Sequence, residues 1–511
     1  MTTSTPVASS VNRAAVLILC GVTAGMLLLD IHKVTIAIPS IERALGAGPV
    51  WIQLVSAAYV VAFAVTLVPA GRLGDGGRRI QLVYVGLWLS LAASLLCAIA
   101  PTAPVLVLGR ALLGVSAGLL MPQMMGLVQH LFAPAERGRA FGTYGVCVSL
   151  ATALGPTVGG LLITTPLLGW RGVFVLNLPV VVGLLVAAHR LLPAVGPARA
   201  DRTLRPDLDV LGLGLGSIAL VLLLAPLIFT TGRPGDVELR WLALLPAVLL
   251  AVAFVRRSRR RVADGRAAVI DPDLLRIPSF RTGVLVSLTW FASGPGVNLG
   301  LLIHLQQAQG LSPFVAGLLM LPSSATSVVG AWVGGRVVQR WGRALSVTGM
   351  LLTLVSVLGT VAILLSGPST LLVVTALPAL QLLSGLGAGF VVSPNHSMTL
   401  QDVPREQGSA ASSIGQLGQR VANSLGVATA SMAYYAVVYG SGATLTTASA
   451  DLHTKALARS TAVALGFLLI ALVVVLLDLR RTRRDARSLP EVRGGTTSLE
   501  GSTSARVGGQ T

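Results

Sequence analysis

Lysine occurs only at Lys33 and Lys455 in 511 residues, and neither follows a glycine. A phosphate-cradling P-loop needs Gly-Lys-Ser/Thr, so the chain has no Walker A site and cannot hydrolyse ATP by that route. No histidine is followed by glutamate, which removes the HExxH zinc-protease pattern. The three cysteines, Cys20, Cys97 and Cys147, lie inside apolar runs, away from the loops that would assemble a disulfide framework or a metal site. Acids are scarce as well, 19 against 38 lysines and arginines. In a soluble chain a net charge of +19 would suggest nucleic acid, but most of the arginines fall in short loops between apolar stretches. No zinc-finger or RNA-recognition signature accompanies them, so neither nucleic acid nor a metal or other cofactor is expected.

What the chain has in abundance is hydrophobicity: 53% of residues are apolar, 11% are charged, and the mean hydropathy is +0.80, beyond the range of soluble domains. Apolar runs of about 18 to 25 residues recur along it, each long enough to cross a hydrocarbon core of roughly 30 Å as a helix. A barrel would alternate apolar and polar residues in segments of about 10, which these runs do not. The expected fold is an all-α integral membrane protein with spans near 14–38, 50–70, 80–100, 105–128, 139–163, 173–192, 208–229, 240–255, 281–305, 314–337, 344–365, 370–394, 409–438 and 460–478. The opening "MTTSTPVASSVNR" lacks a signal peptide's basic start and cleavage site, so the first run is expected to remain as the first helix.

Loop charge tests the count, because a missed helix would invert the asymmetry of every later loop. With a cytoplasmic N-terminus, inside loops hold Arg72, Arg78, Arg79, Arg137, Arg139, Arg199, Arg202, Arg205, the run from Arg256 to Arg261, Arg340, Arg343 and Arg405. Outside loops hold only Arg43, Arg171, Arg233, Arg240, Lys455 and Arg459. The bias stays in phase throughout, which places both termini in the cytoplasm of a multi-pass plasma-membrane protein. "GRLGDGGRR" (71–79) after the second span echoes "GGRVVQRWGR" (334–343) after the tenth. That echo implies two six-helix halves in parallel repeat with two helices inserted between them. The expected organisation is a cytoplasmic N-terminus 1–13, a six-helix half 14–192, inserted helices and flanking loops 193–260, a second half 261–478 and a disordered tail 479–511.

Buried charge marks the candidate site. "LLLDIHKVTIAIP" (27–39) carries Asp30 about 25 Å along the first helix from Arg13, in the outer half of the membrane. An intramembrane acid is a functional candidate by default. Lys33 lies about 60° around the helix from it, within pairing reach, while His32 points about 200° away. Two readings follow: Lys33 snorkels to the headgroups while Asp30 makes a packing hydrogen bond, or Asp30 exchanges a proton during transport with Lys33 beside it. Arg110, within the fourth span, needs a backbone partner or a role in the same chemistry, and Arg420, in "GQLGQRVANS", falls near the inner half of the thirteenth. "ALGPTVGG" combines Gly155, Pro156, Gly159 and Gly160, which bend the fifth span and let another backbone approach it. Gln53, Gln123, Asn298, Gln306, Gln307, Gln381 and Gln416 are candidates for polar contacts in a mostly apolar cavity, with His32.

These motifs together resemble the fourteen-helix drug:proton antiporters of the major facilitator superfamily, over residues 20 to 475. "LD" followed by "AIP" resembles the family's first-span motif, with His32, Lys33 and Thr35 in place of its apolar and amide pattern. "GRLGDGGRR" resembles the family's cytoplasmic gating loop, which assigns that role to Gly71, Asp75, Arg78 and Arg79. Arg110 and Gly114 match the fourth-span R-x-x-Q-G, with Leu113 in place of glutamine. "ALGPTVGG" is similar to the antiporter motif, "WRGVFVLNLP" (170–179) to the family's W-R-W-I-F-x-I-N-x-P, and "LQQAQGLSPFVAG" (305–317) to the exit of span nine. The resemblance implies a monomeric, non-enzymatic proton antiporter that exports amphiphilic or hydrophobic small molecules, antibiotics among them, by alternating access. Asp30, Lys33 and Arg110 would carry the coupling. Export of a lipid or an anionic metabolite is the alternative within transport, and a receptor or scaffold without flux is the alternative outside it.

Overall fold

The computed structural model describes residues 12–132, 134–195, 209–230, 238–266, 268–269, 272–403 and 408–488. The segments 1–11 and 489–511 lie outside these ranges, as do the loop residues Arg199, Arg202, Arg205, Arg233 and Arg405. Fourteen membrane-length helices appear among the described residues: α1 Arg13–Leu45, α2 Pro49–Leu73, α3 Gly76–Ala98, α4 Ala103–Leu131, α5 Gly142–Thr164, α6 Gly169–Pro193, α7 Val210–Ile228, α8 Glu238–Ala263, α9 Pro278–Gln307, α10 Pro313–Val338, α11 Arg343–Leu365, α12 Thr370–Thr399, α13 Ile414–Gly440 and α14 Ala450–Arg481. Each falls on an expected apolar run. The helix of α14 runs on to Ser488, through residues expected to begin the tail; arginines in a last turn are favoured by the negative end of the helix dipole.

Local chemistry sets the helix ends. Asn12 caps α1 by accepting from the Ala15 amide, Ser312 and Ser369 do the same for α10 and α12, and prolines open α2 and α9 where no amide partner is needed. Gly46 closes α1 in the left-handed conformation at φ 56°, which a side chain resists.

The packing repeats with an offset of eight helices. In the first half α5 packs on α1, and α4 packs on both α2 and α3; in the second, α13 packs on α9, and α12 on both α10 and α11. The arginines that open the third helix of each half repeat as well. Arg79 donates to the Gly126 carbonyl of α4 at 2.9 Å, and Arg343 donates to Asn395 Oδ1 of α12 at 2.7 Å while pairing with Asp478 at 2.8 Å. The inserted α7 covers the seam between α2 and α13 through Ala57, Leu224, Leu227, Ile228 and Ala428. Its partner α8 is peripheral: 11% of its most apolar stretch is buried, against 61% for α1. Exposed Trp88, Leu108, Val186 and Leu249 leave an apolar outer wall suited to lipid tails.

The halves meet along α2 with α13 and α5 with α10. On α5 the stripe Gly160, Pro156, Ala153, Ser149, Val146, Gly142 follows helical spacing, and it passes from buried through half-buried to exposed. The seam is therefore shut at the end away from the arginine-rich loops and parted at the arginine-rich end. At the shut end Thr157 donates to the Gly317 carbonyl at 3.1 Å, and Tyr439 of α13 donates to Glu42 of α1 at 2.6 Å.

Candidate functional site

Asp30 lies on α1 at 3% exposure and is held from three helices. Arg110 of α4 reaches Oδ2 with Nη1 at 2.6 Å, while Lys33, one turn along α1, places Nζ 3.0 Å from Oδ1. Asn177 of α6 donates to Oδ1 at 2.9 Å, and through the same nitrogen to Ser94 Oγ of α3 at 3.1 Å. Its amide oxygen accepts from Lys33 Nζ. Lys33 is wholly buried, so it pairs with Asp30 and does not snorkel. Arg110 has a backbone partner as well as Asp30: its Nε donates to the Val55 carbonyl at 3.1 Å. Ion pairs inside a low-dielectric bundle persist only when lone pairs and protons are answered in this way, because each ion has lost its water.

The cage extends sideways. The Arg110 guanidinium lies 4.6 Å from the Tyr59 ring centre on α2, and Tyr59 donates its hydroxyl to the Leu27 carbonyl at 2.7 Å. Tyr59 meets Phe63 edge-on, and the guanidinium of Arg420, from α13 in the other half, sits 4.6 Å from the Phe63 ring centre. A continuous line of side chains thus runs from Asp30 to the seam between the halves.

The antiporter-like stretch of α5 permits close approach on two sides. A Cβ on Gly155 would lie 2.7 Å from His32 Cβ, and one on Gly159 would lie 2.8 Å from Lys33 Cα, so α1 packs here directly against backbone. His32 faces this contact, on the side of α1 away from Asp30. On the other side a Cβ on Gly160 would meet the Pro313 carbonyl oxygen at 2.3 Å, and one on Gly317 would meet the Pro156 oxygen at 2.4 Å.

At the arginine-rich end Gly71 faces Pro122, Arg72 donates to the Ala268 carbonyl, Gly77 turns the chain at φ 89° and Arg78 is exposed. The Asp75 side chain lies outside what the structure describes. Several of the candidate cavity amides are taken up by acceptors within the protein, since a buried amide needs a partner. Gln53 donates to the Thr230 carbonyl, Gln123 to that of Ala70, Gln306 to that of Leu302, and Gln381 to the Met320 sulfur. Asn298 is exposed, and Gln307 and Gln416 are half-buried. Gly114 to Gly118 spell G-x-S-x-G, a pattern of hydrolase nucleophiles, but they lie in mid-helix, where buried Ser116 donates to the Gly86 carbonyl at 2.8 Å. That pattern requires a strand-to-helix elbow, so here it serves packing.

Sequence reasoning did not single out Asn177, Ser94 or Tyr59 for the site. Asn177 had a signal, as the asparagine of "WRGVFVLNLP"; the other two had none.

The sequence profile of the Major Facilitator Superfamily matches residues 15–427. A probable actinorhodin transporter of Streptomyces coelicolor is 33% identical over 420 residues, 82% of this chain and 71% of that protein. A tetracenomycin C resistance and export protein of Streptomyces glaucescens is 32% identical over 408 residues, 79% of this chain and 72% of that protein. Among solved structures, a bacterial homologue of the human lysosomal transporter Spinster, inward-facing and occupied, superposes with a TM-score of 0.65 at 14% identity. That superposition covers 94% of this chain and 99% of the other. Profile, relatives and repeated helical packing agree that the chain belongs to the Major Facilitator Superfamily and is a multi-pass membrane transporter, not an enzyme.

Proposed function

We propose that the chain is a proton-coupled antiporter of the plasma membrane, with both termini cytoplasmic, that exports amphiphilic or hydrophobic small molecules, antibiotics among them, by alternating access. The observation that carries this reading is Asp30, the one described carboxylate set well inside a span, bound by Lys33, Arg110 and Asn177. A proton arriving at Asp30 cancels the charge that holds Arg110 and Lys33. Arg110 then keeps only the Val55 carbonyl and the Tyr59 ring, and the line through Tyr59 and Phe63 carries that change to α13. Loss of the proton restores the cage. Buried packing of this kind has discrete arrangements, which is how a change at one carboxylate can bias the seam between the halves. The relatives' names, a transporter and a resistance and export protein, support the same direction of flux. The chain works as a monomer, each copy containing both halves of the path.

The test uses inside-out vesicles with an imposed pH gradient and a panel of cationic, neutral and anionic amphiphiles, comparing wild type with Asp30→Asn. Substrate-driven collapse of the gradient in wild type, abolished in a correctly folded Asp30→Asn protein, is the expected result. Equal collapse in both removes Asp30 from the proton path, and substrate flux with no movement of protons overturns antiport.

A further inference from the structure

The line of side chains ends on a cation that the Asp30 cage does not use. Arg420 stacks on Phe63 and lies within electrostatic reach of the phenols of Tyr59 and Tyr144, but none of these is a counter-ion. Among the described residues no carboxylate pairs with it. Asp30 is engaged by Lys33, Arg110 and Asn177. The acids at helix ends have their own partners: Glu136 with Arg13, Asp209 with Arg257 and Arg261, and Asp478 with Arg343. Glu42 accepts from Tyr439 at the shut end of the seam. One carboxylate, Asp30, therefore stands against three cations, Lys33, Arg110 and Arg420, in the middle of the bundle.

Position adds to charge. Arg420 projects from α13 where the two halves face each other, half-buried, on the side from which the seam opens toward the arginine-rich end. Gln416, one turn nearer that opening, is also half-buried and makes no hydrogen bond among the described residues. Charged residues inside membrane spans face the bundle interior or an aqueous cavity and find a partner there. Here the chain provides an amide and a guanidinium backed by the wholly buried Phe63 ring, and leaves the anion to come from elsewhere.

We propose that Arg420, with Gln416, is the recognition site for an organic anion: an amphiphilic molecule bearing a carboxylate or a comparably acidic group. The guanidinium, backed by the buried Phe63 ring, takes the acid as a fork of parallel hydrogen bonds, and Gln416 donates to it. A cationic amphiphile of the same shape meets like charge at this point and is excluded. The inference narrows the substrate class of the export reading above and rests on it for its physiological sense, but binding alone can test it.

Purified protein in nanodiscs is dialysed to equilibrium against 9-anthracenecarboxylate, 9-anthracenemethanol or 9-anthracenemethylammonium, with empty nanodiscs subtracted. The expected result is saturable binding of the carboxylate, weakened about tenfold or more in Arg420→Gln and by less in Arg420→Lys, which keeps the charge but loses the fork. Phe63→Leu, which removes the ring that holds the guanidinium in place, weakens the carboxylate and leaves the alcohol unchanged. Saturable binding of the ammonium compound as strong as that of the carboxylate overturns the proposal, as does carboxylate binding indifferent to Arg420→Gln, or none in the wild type. Should Arg420→Gln fail to fold, Gln416→Leu and Phe63→Leu give the decision: unchanged carboxylate affinity in both overturns the site. Carboxylate binding that needs Arg420, together with no proton-driven flux in vesicles, would sink antiport and leave the anion site standing.

Discussion

Both oxygens of Asp30 are answered, and by groups from separate helices, so the cage is a joint between helices as much as a proton site. Asn177 is its hinge, accepting from Lys33 and donating to Asp30 and Ser94. Replacing it with leucine of similar volume leaves Lys33 and Asp30 each short of a buried partner, at a cost of about 1 to 3 kcal/mol. Asn177→Leu is therefore expected to lower the thermal midpoint while leaving a folded, membrane-inserted protein, and to reduce proton-coupled flux more than Ser94→Ala does. Equal flux in the two variants would reduce Asn177 to ordinary packing. That Lys33 lies within pairing reach of Asp30 was legible in the sequence because three residues on one helix fix it; that it pairs there and does not snorkel was not, since burial depends on the neighbouring helices. Asn177, Ser94 and Tyr59 arrive from other helices, and helical periodicity says which face of a helix is apolar without saying which neighbour meets it. The partners of Gln53, Gln123 and Gln306 were hidden for the same reason, since an amide in a span shows polarity but not the carbonyl that will take it up.

At the scale of the element, α5 shows what small residues do in a bundle where lipid is as apolar as the packing surface and close backbone approach must supply the attraction. Gly159 is pressed against the backbone of Lys33, and Gly160 against that of Pro313, so one helix touches its own half and the opposite half within two residues. Gly159→Val places its Cβ 2.8 Å from Lys33 Cα, an overpacking that costs about 1 to 3 kcal/mol and displaces the Asp30 cage with α1. Loss of flux and a lower thermal midpoint are expected there. Gly145→Ala meets nothing within 4 Å and gains helix propensity of up to about 1 kcal/mol, so it should leave both unchanged or slightly raised. Similar behaviour of the two variants would count against directed packing. Glycines four apart in the sequence announced a close contact and Pro156 a bend; that the contact is double, with α1 and with α10, depends on the assembled halves.

The whole molecule is two repeats joined at one end of a seam. The helix count and the offset of eight were readable from loop arginines and from the paired Gly/Arg turns, since charge bias and repetition survive without knowledge of any contact. Which end of the seam is closed was not readable, because alternating access gives one sequence two arrangements. In the observed arrangement the hydrogen bond from Tyr439 to Glu42 links α13 to α1 directly across the shut end, beside the contact of Thr157 with Gly317. A hydrogen bond to a charged acceptor is worth about 1.5 to 3 kcal/mol. Its removal by Tyr439→Phe would shift the balance between the arrangements by about tenfold or more toward the one open at that end. The shift can be read with Thr157→Cys in a chain whose half-buried Cys147 has been changed to serine, by labelling intact cells with a membrane-impermeant maleimide. Labelling is expected to be faster in the Tyr439→Phe background, and to rise less when Glu42→Gln is made instead, because the amide oxygen still accepts from Tyr439 without the charge. An unchanged rate in both would mean that the glycine contacts of α5 and α10 alone hold the seam shut, with the Tyr439 hydrogen bond following their closure.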